Sequence, residues 1–231
     1  MLQGLGDDSL LPRTYAATAL TLALAMLLSG FFMNNGWWFK AMLLAFMLPW
    51  AIPALPSYLS INWMLNGQWG LINNIIWDIF QIDGPPWLDS PNLAMGSVIY
   101  AHIWKWLPFW TLIFLAGRMA IPRELYEAAD VDGATRLQKF TQVTMPLIAG
   151  LYLVCTLLST IWALGDFNAV RFISGGGPAL STHVLATLGI RNAFELGDPR
   201  MGMATVLTAL PLLIPLVILL MRQLRKNEVT I

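Results

Sequence analysis

Five stretches of this chain carry almost no charge, and that fact constrains its fold more than any other. They cover residues 14–39, 41–77, 90–117, 140–165 and 201–221, and Lys105 alone interrupts them. About 20 predominantly apolar residues cross a bilayer as an α-helix. In lipid every backbone polar group must be satisfied internally, which leaves helices or closed barrels. The runs are long and show no period-2 alternation, so strands are not expected. The predicted class is all-α: a polytopic membrane helical bundle with about five spans, near 15–33, 41–63, 93–117, 145–165 and 203–222. Residues 1–231 read as one transmembrane domain.

Composition agrees with this reading. Hydrophobic residues make up 57% of the chain and charged residues 11%, against roughly 25% charged in a soluble domain. A soluble globular domain is excluded. The single cysteine, Cys155, rules out a disulfide framework. Without a basic stripe, nucleic acid is not an expected partner; membrane lipid is.

The sparse charges set the orientation. Lys40, Arg118, Arg123, Arg136, Lys139, Arg222, Arg225 and Lys226 fall on one side of a five-span arrangement, and Arg13, Arg171, Arg191 and Arg200 on the other. The positive-inside rule makes the richer side cytoplasmic. The C-terminus is then inside and Met1 outside. Residues 1–14 hold neither a signal peptide nor a span. The expectation is that a first helix is missing upstream; a true five-span protein is the alternative. On the outer side, Leu71, Ile72, Ile75, Ile76 and Ile79 recur at helical spacing, which predicts a short interfacial helix flanked by Trp63, Trp69, Trp77 and Trp87.

The strongest motif lies between the third and fourth spans, at about residues 122–146. Pro122 can start a helix, because its missing N–H is not needed there. Glu124, Glu127 and Asp130 favour the N-terminal half of that helix. Gly133 breaks it, and a second short helix is predicted from Ala134 to Gln142. Glu127-Ala128-Ala129 is followed by Gly133, then nine residues, then Val143-Thr144-Met145-Pro146. This spacing resembles the EAA loop of binding-protein-dependent ABC importer permeases. Leu48-Pro49-Trp50-Ala51-Ile52-Pro53, Gly70-Leu71-Ile72-Asn73, Ile103-Trp104-Lys105 and Ser174-Gly175-Gly176-Gly177-Pro178 are similar to the carbohydrate-type permeases of the maltose and glycerol-3-phosphate group, specifically their first permease subunit.

The resemblance implies a type I ABC importer transmembrane fold, with a family core of six helices. It implies a multi-pass protein of the bacterial cytoplasmic (inner) membrane that imports a mono- or oligosaccharide or a related polyol. Its partners would be a second permease subunit in a heterodimer, two ATP-binding cassette subunits and an extracytoplasmic solute-binding protein. Glu127, Ala128, Ala129, Asp132, Gly133, Arg136 and Pro146 would form the coupling element that docks on an ATPase subunit. The chain has no phosphate loop of the form Gly-x-x-x-x-Gly-Lys-Ser/Thr. It is therefore not expected to be an enzyme itself, or to bind a cofactor. One cysteine and two distant histidines make a metal site unexpected.

The same resemblance places cargo near Trp50, Ala54, His102, Lys105, Trp162 and Asp166, with Trp106 and Asn168 close by in sequence. A sugar site needs aromatic plates and hydrogen-bonding groups, and this set contains both. A bare lysine deep in a span costs about 2.5–3.5 kcal/mol on insertion scales, so Lys105 should face a wet cavity or a partner. It either lines the cargo path or holds a carbonyl or carboxylate, Asp166 among the candidates. Gly175, Gly176, Gly177 and Pro178 would form an outer loop or gate. Glycerol-3-phosphate is the alternative cargo, with Lys105 or Arg171 on its anionic group. A stand-alone secondary transporter is the more distant alternative; it would normally show paired broken helices or inverted repeats.

Overall fold

The computed structural model describes residues 10–34, 36–211, 213–215, 217–218 and 221–222. The expectations about Met1 and about Arg225 and Lys226 lie outside the described residues. Among the described residues the chain is helical: α1 (Leu10–Phe32), α2 (Trp37–Ala51), α3 (Ala54–Met64), α4 (Leu71–Phe80), α5 (Pro91–Met119), α6 (Arg123–Val131), α7 (Arg136–Lys139), α8 (Met145–Leu164), α9 (Phe167–Ile173), α10 (Leu185–Ile190) and α11 (Pro199–Leu207). Single π turns follow α7, at Phe140–Thr144, and α10, at Arg191–Glu195.

Among the described residues, two segments, Pro91–Met119 and Arg136–Leu164, are each long and apolar enough to cross a membrane alone. They match the expected third and fourth spans. Helix α5 begins with Pro91 in its first turn, where the missing N–H costs nothing. The described apolar part of α1, Ala16–Phe32, is shorter. The second expected span differs from the sequence reading: α2 and α3 are two helices bent by 90°. The reason is local. Pro53 disfavours the helical region for Ile52, and Ile52 is extended at φ −69° and ψ 137°. Near the last expected span, α11 ends at Leu207 and a turn at 208–209 precedes further helical residues.

Helix α1 packs along α5 and against α8. Its buried residues include Ala17, Thr21, Ala25 and Ser29, one every four residues. A small-residue stripe of this kind lets membrane helices approach closely. Around this contact Leu22, Met26, Trp110, Phe114, Ile148 and Cys155 form one core cluster. A second joins Tyr58 of α3, Val98 and Ala101 of α5, and Ala169, Val170 and Ile173 of α9. Helix α4 forms where the isoleucine spacing predicted it, and Trp87 Nε1 donates to Asn73 Oδ1 at 2.7 Å to pin its first turn to the following loop.

Candidate functional site

The Glu-Ala-Ala segment folds as an exposed helical bracket between α5 and α8. Helix α6 has no fully buried residue. Gly133 adopts φ +74°, the left-handed conformation that L side chains resist, and there the chain reverses. Thr135 then caps α7 with a reciprocal capping box to Gln138. Lys139 bonds Asp130 across the turn and ties the two arms together. The second arm does not stop near Gln142 as a separate short helix. It continues through the π turn into α8, giving one segment from Arg136 to Leu164. Pro146 explains the turn: in a regular helix its ring would meet the carbonyl of Gln142, and one extra residue per turn absorbs that clash. Glu127, Ala128, Asp132 and Arg136 stand exposed, and Ala129 is half-buried. Val131 and Leu137 stand beside them, 89% and 70% exposed. The sequence reading, intent on the charges, passed over these two apolar tips.

The α2–α3 break is the second feature. In a continuous helix the carbonyl of Pro49 would accept from residue 53, and that of Ile52 from residue 56. Both residues that would donate are prolines, Pro53 and Pro56, so neither carbonyl has a backbone donor in a helical register. Lys105 supplies the missing donors. Its Nζ donates to Pro49 O at 2.8 Å and to Ile52 O, with Trp50 O at 3.5 Å. The residue is 4% exposed. Nonhelical backbone at membrane depth is tolerated where protein groups satisfy it, and Lys105 does this from α5.

One turn earlier on α5, His102 Nδ1 lies 2.7 Å from Asp166 Oδ2. Asp166 ends the turn after α8 and caps α9, accepting from the Ala169 N–H at 3.2 Å. Asp166 therefore pairs with His102, and Lys105 is held by carbonyls. The pair, with side chains 8% and 13% exposed, lines a narrow cleft with Met95, Val98, Ala163 and Val170.

The aromatic candidates gather on one wall. Trp162 lies 4.8 Å from Trp106, 5.2 Å from Trp110 and 5.5 Å from Phe109, centroid to centroid. Phe109 stacks on Trp50 at 5.7 Å. Trp50 is the exposed end of this wall, at 42%. Ala54 is half-buried at the start of α3, and Asn168 is exposed on α9.

The glycine-rich loop is a closed knot of hydrogen bonds. Gly175 and Gly176 have φ of +63° and +86°. Ser174 and Thr182 hydroxyls meet at 2.7 Å, and Thr182 Oγ1 donates to Gly177 O at 2.9 Å. A Cβ on Gly176 would lie 2.2 Å from the His183 ring. His183 is buried against that glycine, with Nδ1 3.0 Å from Thr187 Oγ1. Burial, helped by the nearby positive charge of Arg191, lowers its pKa. Pro178 completes the turn. The pocket beside the knot is lined by Arg171 and Glu195, which pair at 3.3 Å.

Residues 18–227 match the family described as binding-protein-dependent transport system inner membrane component. The chain is 38% identical over 158 residues to the trehalose/maltose transport system permease of Thermococcus litoralis, covering 68% of this chain and 53% of that protein. It is 36% identical over 180 residues to the sulfoquinovosyl glycerol transport system permease of Agrobacterium fabrum, covering 77% and 58%. The chain thus spans little more than half the length of these curated relatives. A solved bacterial alginate ABC transporter, in complex with an alginate pentasaccharide-bound periplasmic protein, has a chain that superposes with a TM-score of 0.78 at 22% identity, over 95% of this chain and 79% of the other. That likeness establishes the shared helical fold.

Proposed function

This chain belongs to the family of binding-protein-dependent transport system inner membrane components, and from that membership we propose that it is a permease subunit of an ATP-driven importer that carries a sugar or related polyol across the bacterial cytoplasmic membrane. The observation that carries the reading is the exposed bracket α6–Gly133–α7, which ends in a helix long enough to span. An exposed charged helix with apolar tips at Val131 and Leu137 suits a groove on a soluble subunit. The bracket faces the cytoplasm, as does the C-terminus. Two ATPase subunits, a second permease and an extracytoplasmic binding protein complete the machine. ATP-driven closure of the ATPases pushes the bracket and biases the permease pair between inward- and outward-facing states.

Cargo passes the wall formed by Trp50, Phe109, Trp162 and Trp106, with the His102–Asp166 pair nearby. One chain supplies one side of such a path, and the second permease supplies the other. A neutral sugar fits better than glycerol-3-phosphate, because both cations suited to an anionic group already have partners: Lys105 holds backbone carbonyls and Arg171 faces Glu195. The relative named for trehalose/maltose supports a neutral sugar, and the one named for sulfoquinovosyl glycerol supports a carbohydrate cargo more broadly.

The test is uptake of radiolabelled trehalose, maltose and glycerol-3-phosphate by cells expressing the complete system, compared with cells carrying Glu127→Lys. Accumulation of a sugar that requires ATP and vanishes in the variant is the expected result. Uptake driven by membrane potential and indifferent to Glu127 would point to a secondary transporter and overturn the reading.

A further inference from the structure

We propose that Arg118 and Tyr126 are positioning residues that transmit displacement of α6 to the membrane helices; this rests on the reading of α6 as the ATPase-facing lever. An exposed lever is useful only if its motion reaches the spans. Tyr126, half-buried on the largely exposed α6, packs against the core shared by α1, α5 and α8. Its hydroxyl lies 2.9 Å from Thr144 Oγ1. Thr144 is 1% exposed, at the end of the π turn that opens α8.

The Tyr126 phenol also lies beside the guanidinium of Arg118, in the last turn of α5. Arg118 Nη1 donates across to α1, to Met26 O and Ser29 Oγ, both at 3.3 Å. The guanidinium carbon stands 5.8 Å above the Phe140 ring of the same π turn. Gly30 makes room for it: a Cβ there would lie 2.7 Å from Arg118 Nη1. Four elements therefore meet on two side chains, and α6 cannot shift without dragging or breaking these contacts.

The junction is also suited to having two settings. A guanidinium offers five N–H donors, yet Nε is buried without a partner and the Nη1 bonds are long for N–H···O contacts. A buried donor left unpaired favours any rearrangement that pairs it. Coupling between distant sites requires such an element, whose equilibrium both ends can bias. The π turn, a local irregularity of the kind found at functional sites, sits at the same junction.

The experiment uses the assembled importer in lipid nanodiscs with a cysteine reporter, Asn168→Cys, in a Cys155→Ser background. The rate of labelling by a membrane-impermeant maleimide is compared without nucleotide and with ATP plus vanadate. The expected result is a several-fold nucleotide-driven change in the reference protein. In Tyr126→Phe, which deletes one oxygen, less than half of that change remains while the complex still hydrolyses ATP. Gly30→Ala, which crowds Arg118, does the same. Glu127→Lys, the control for the lever itself, abolishes the change. If Glu127→Lys abolishes it but Tyr126→Phe and Gly30→Ala retain it in full, the junction proposal is overturned and the lever stands. If Glu127→Lys also retains it, the lever reading falls and the junction with it. A lowered melting temperature with an intact labelling response marks a purely stabilising role, and that too overturns the proposal.

Discussion

Replacing Lys105 with methionine keeps most of the unbranched side chain and removes its three donors. Pro49 O and Ile52 O, which Lys105 now satisfies, then have no donor, because Pro53 and Pro56 have none to give. A buried polar group left unpaired costs about 1–3 kcal/mol. Two such groups predict a loss of about 2–6 kcal/mol, less whatever the bend recovers by relaxing. For a chain of this size that corresponds to a fall in melting temperature of roughly 4–24 °C. The assay is thermal unfolding of the detergent-solubilised protein, followed by tryptophan fluorescence. The argument also predicts a specific rescue: Pro53→Ala, placed in the Lys105→Met background, restores an N–H at residue 53 for Pro49 O and recovers about 1–3 kcal/mol. A Lys105→Met protein that melts with the reference protein would refute the account of the bend. So would a double variant no more stable than the single one, because the account assigns the loss to unpaired carbonyls.

The remaining predictions concern the bracket, the buried pair and the loop knot. Gly133→Val places a β-branched residue at φ +74° and should cut ATP-dependent uptake at least tenfold while the subunit still inserts, as judged by membrane fractionation. Val131→Asp should weaken co-purification with the ATPase subunit; undiminished recovery would remove Val131 from the docking face. Asp166→Asn keeps an acceptor for the α9 cap but removes the carboxylate facing His102, so a stability loss of about 1–3 kcal/mol is expected, again read from melting. His183 adds a pH dependence. Its pKa in the folded protein is lowered by burial and by Arg191, so the unfolded chain takes up a proton there first. The loop is fully stable above the ordinary histidine range near 6.5, and stability is lost as pH falls through that value toward the lowered one. Faster amide exchange at residues 175–187 between pH 7 and pH 5, abolished in His183→Asn, is the expected signature.

Much of the fold was legible because charge-free length is a blunt signal. It located α5 and α8 almost to the residue, and isoleucine spacing located α4. It failed at α2–α3 because hydropathy does not register backbone geometry: residues 41–63 are as apolar through the bend as on either side of it. The bend was present in the sequence in another form, as Pro49, Pro53 and Pro56. Together with a lone lysine on a later span, these prolines ask which donor serves the orphaned carbonyls. The π turn follows from Pro146 only after the helix is known to run unbroken past it. In the loop, spacing gave the bracket and its glycine. The roles of Tyr126 and Arg118 depend on how α1 meets α5, and no local pattern encodes that contact. The burial of His183 is hidden from sequence for the same reason: its partners are a glycine with space above it and a threonine one turn on.

Site-specific photo-crosslinking from α6 tests the central claim most directly. With a photoreactive amino acid at Val131, 89% exposed in this chain, the account predicts a single adduct to the ATPase subunit in the assembled importer, strengthened by ATP plus vanadate and weakened by Glu127→Lys. Adducts only to lipid or to the solute-binding protein would contradict it, because the bracket would then face something other than the motor.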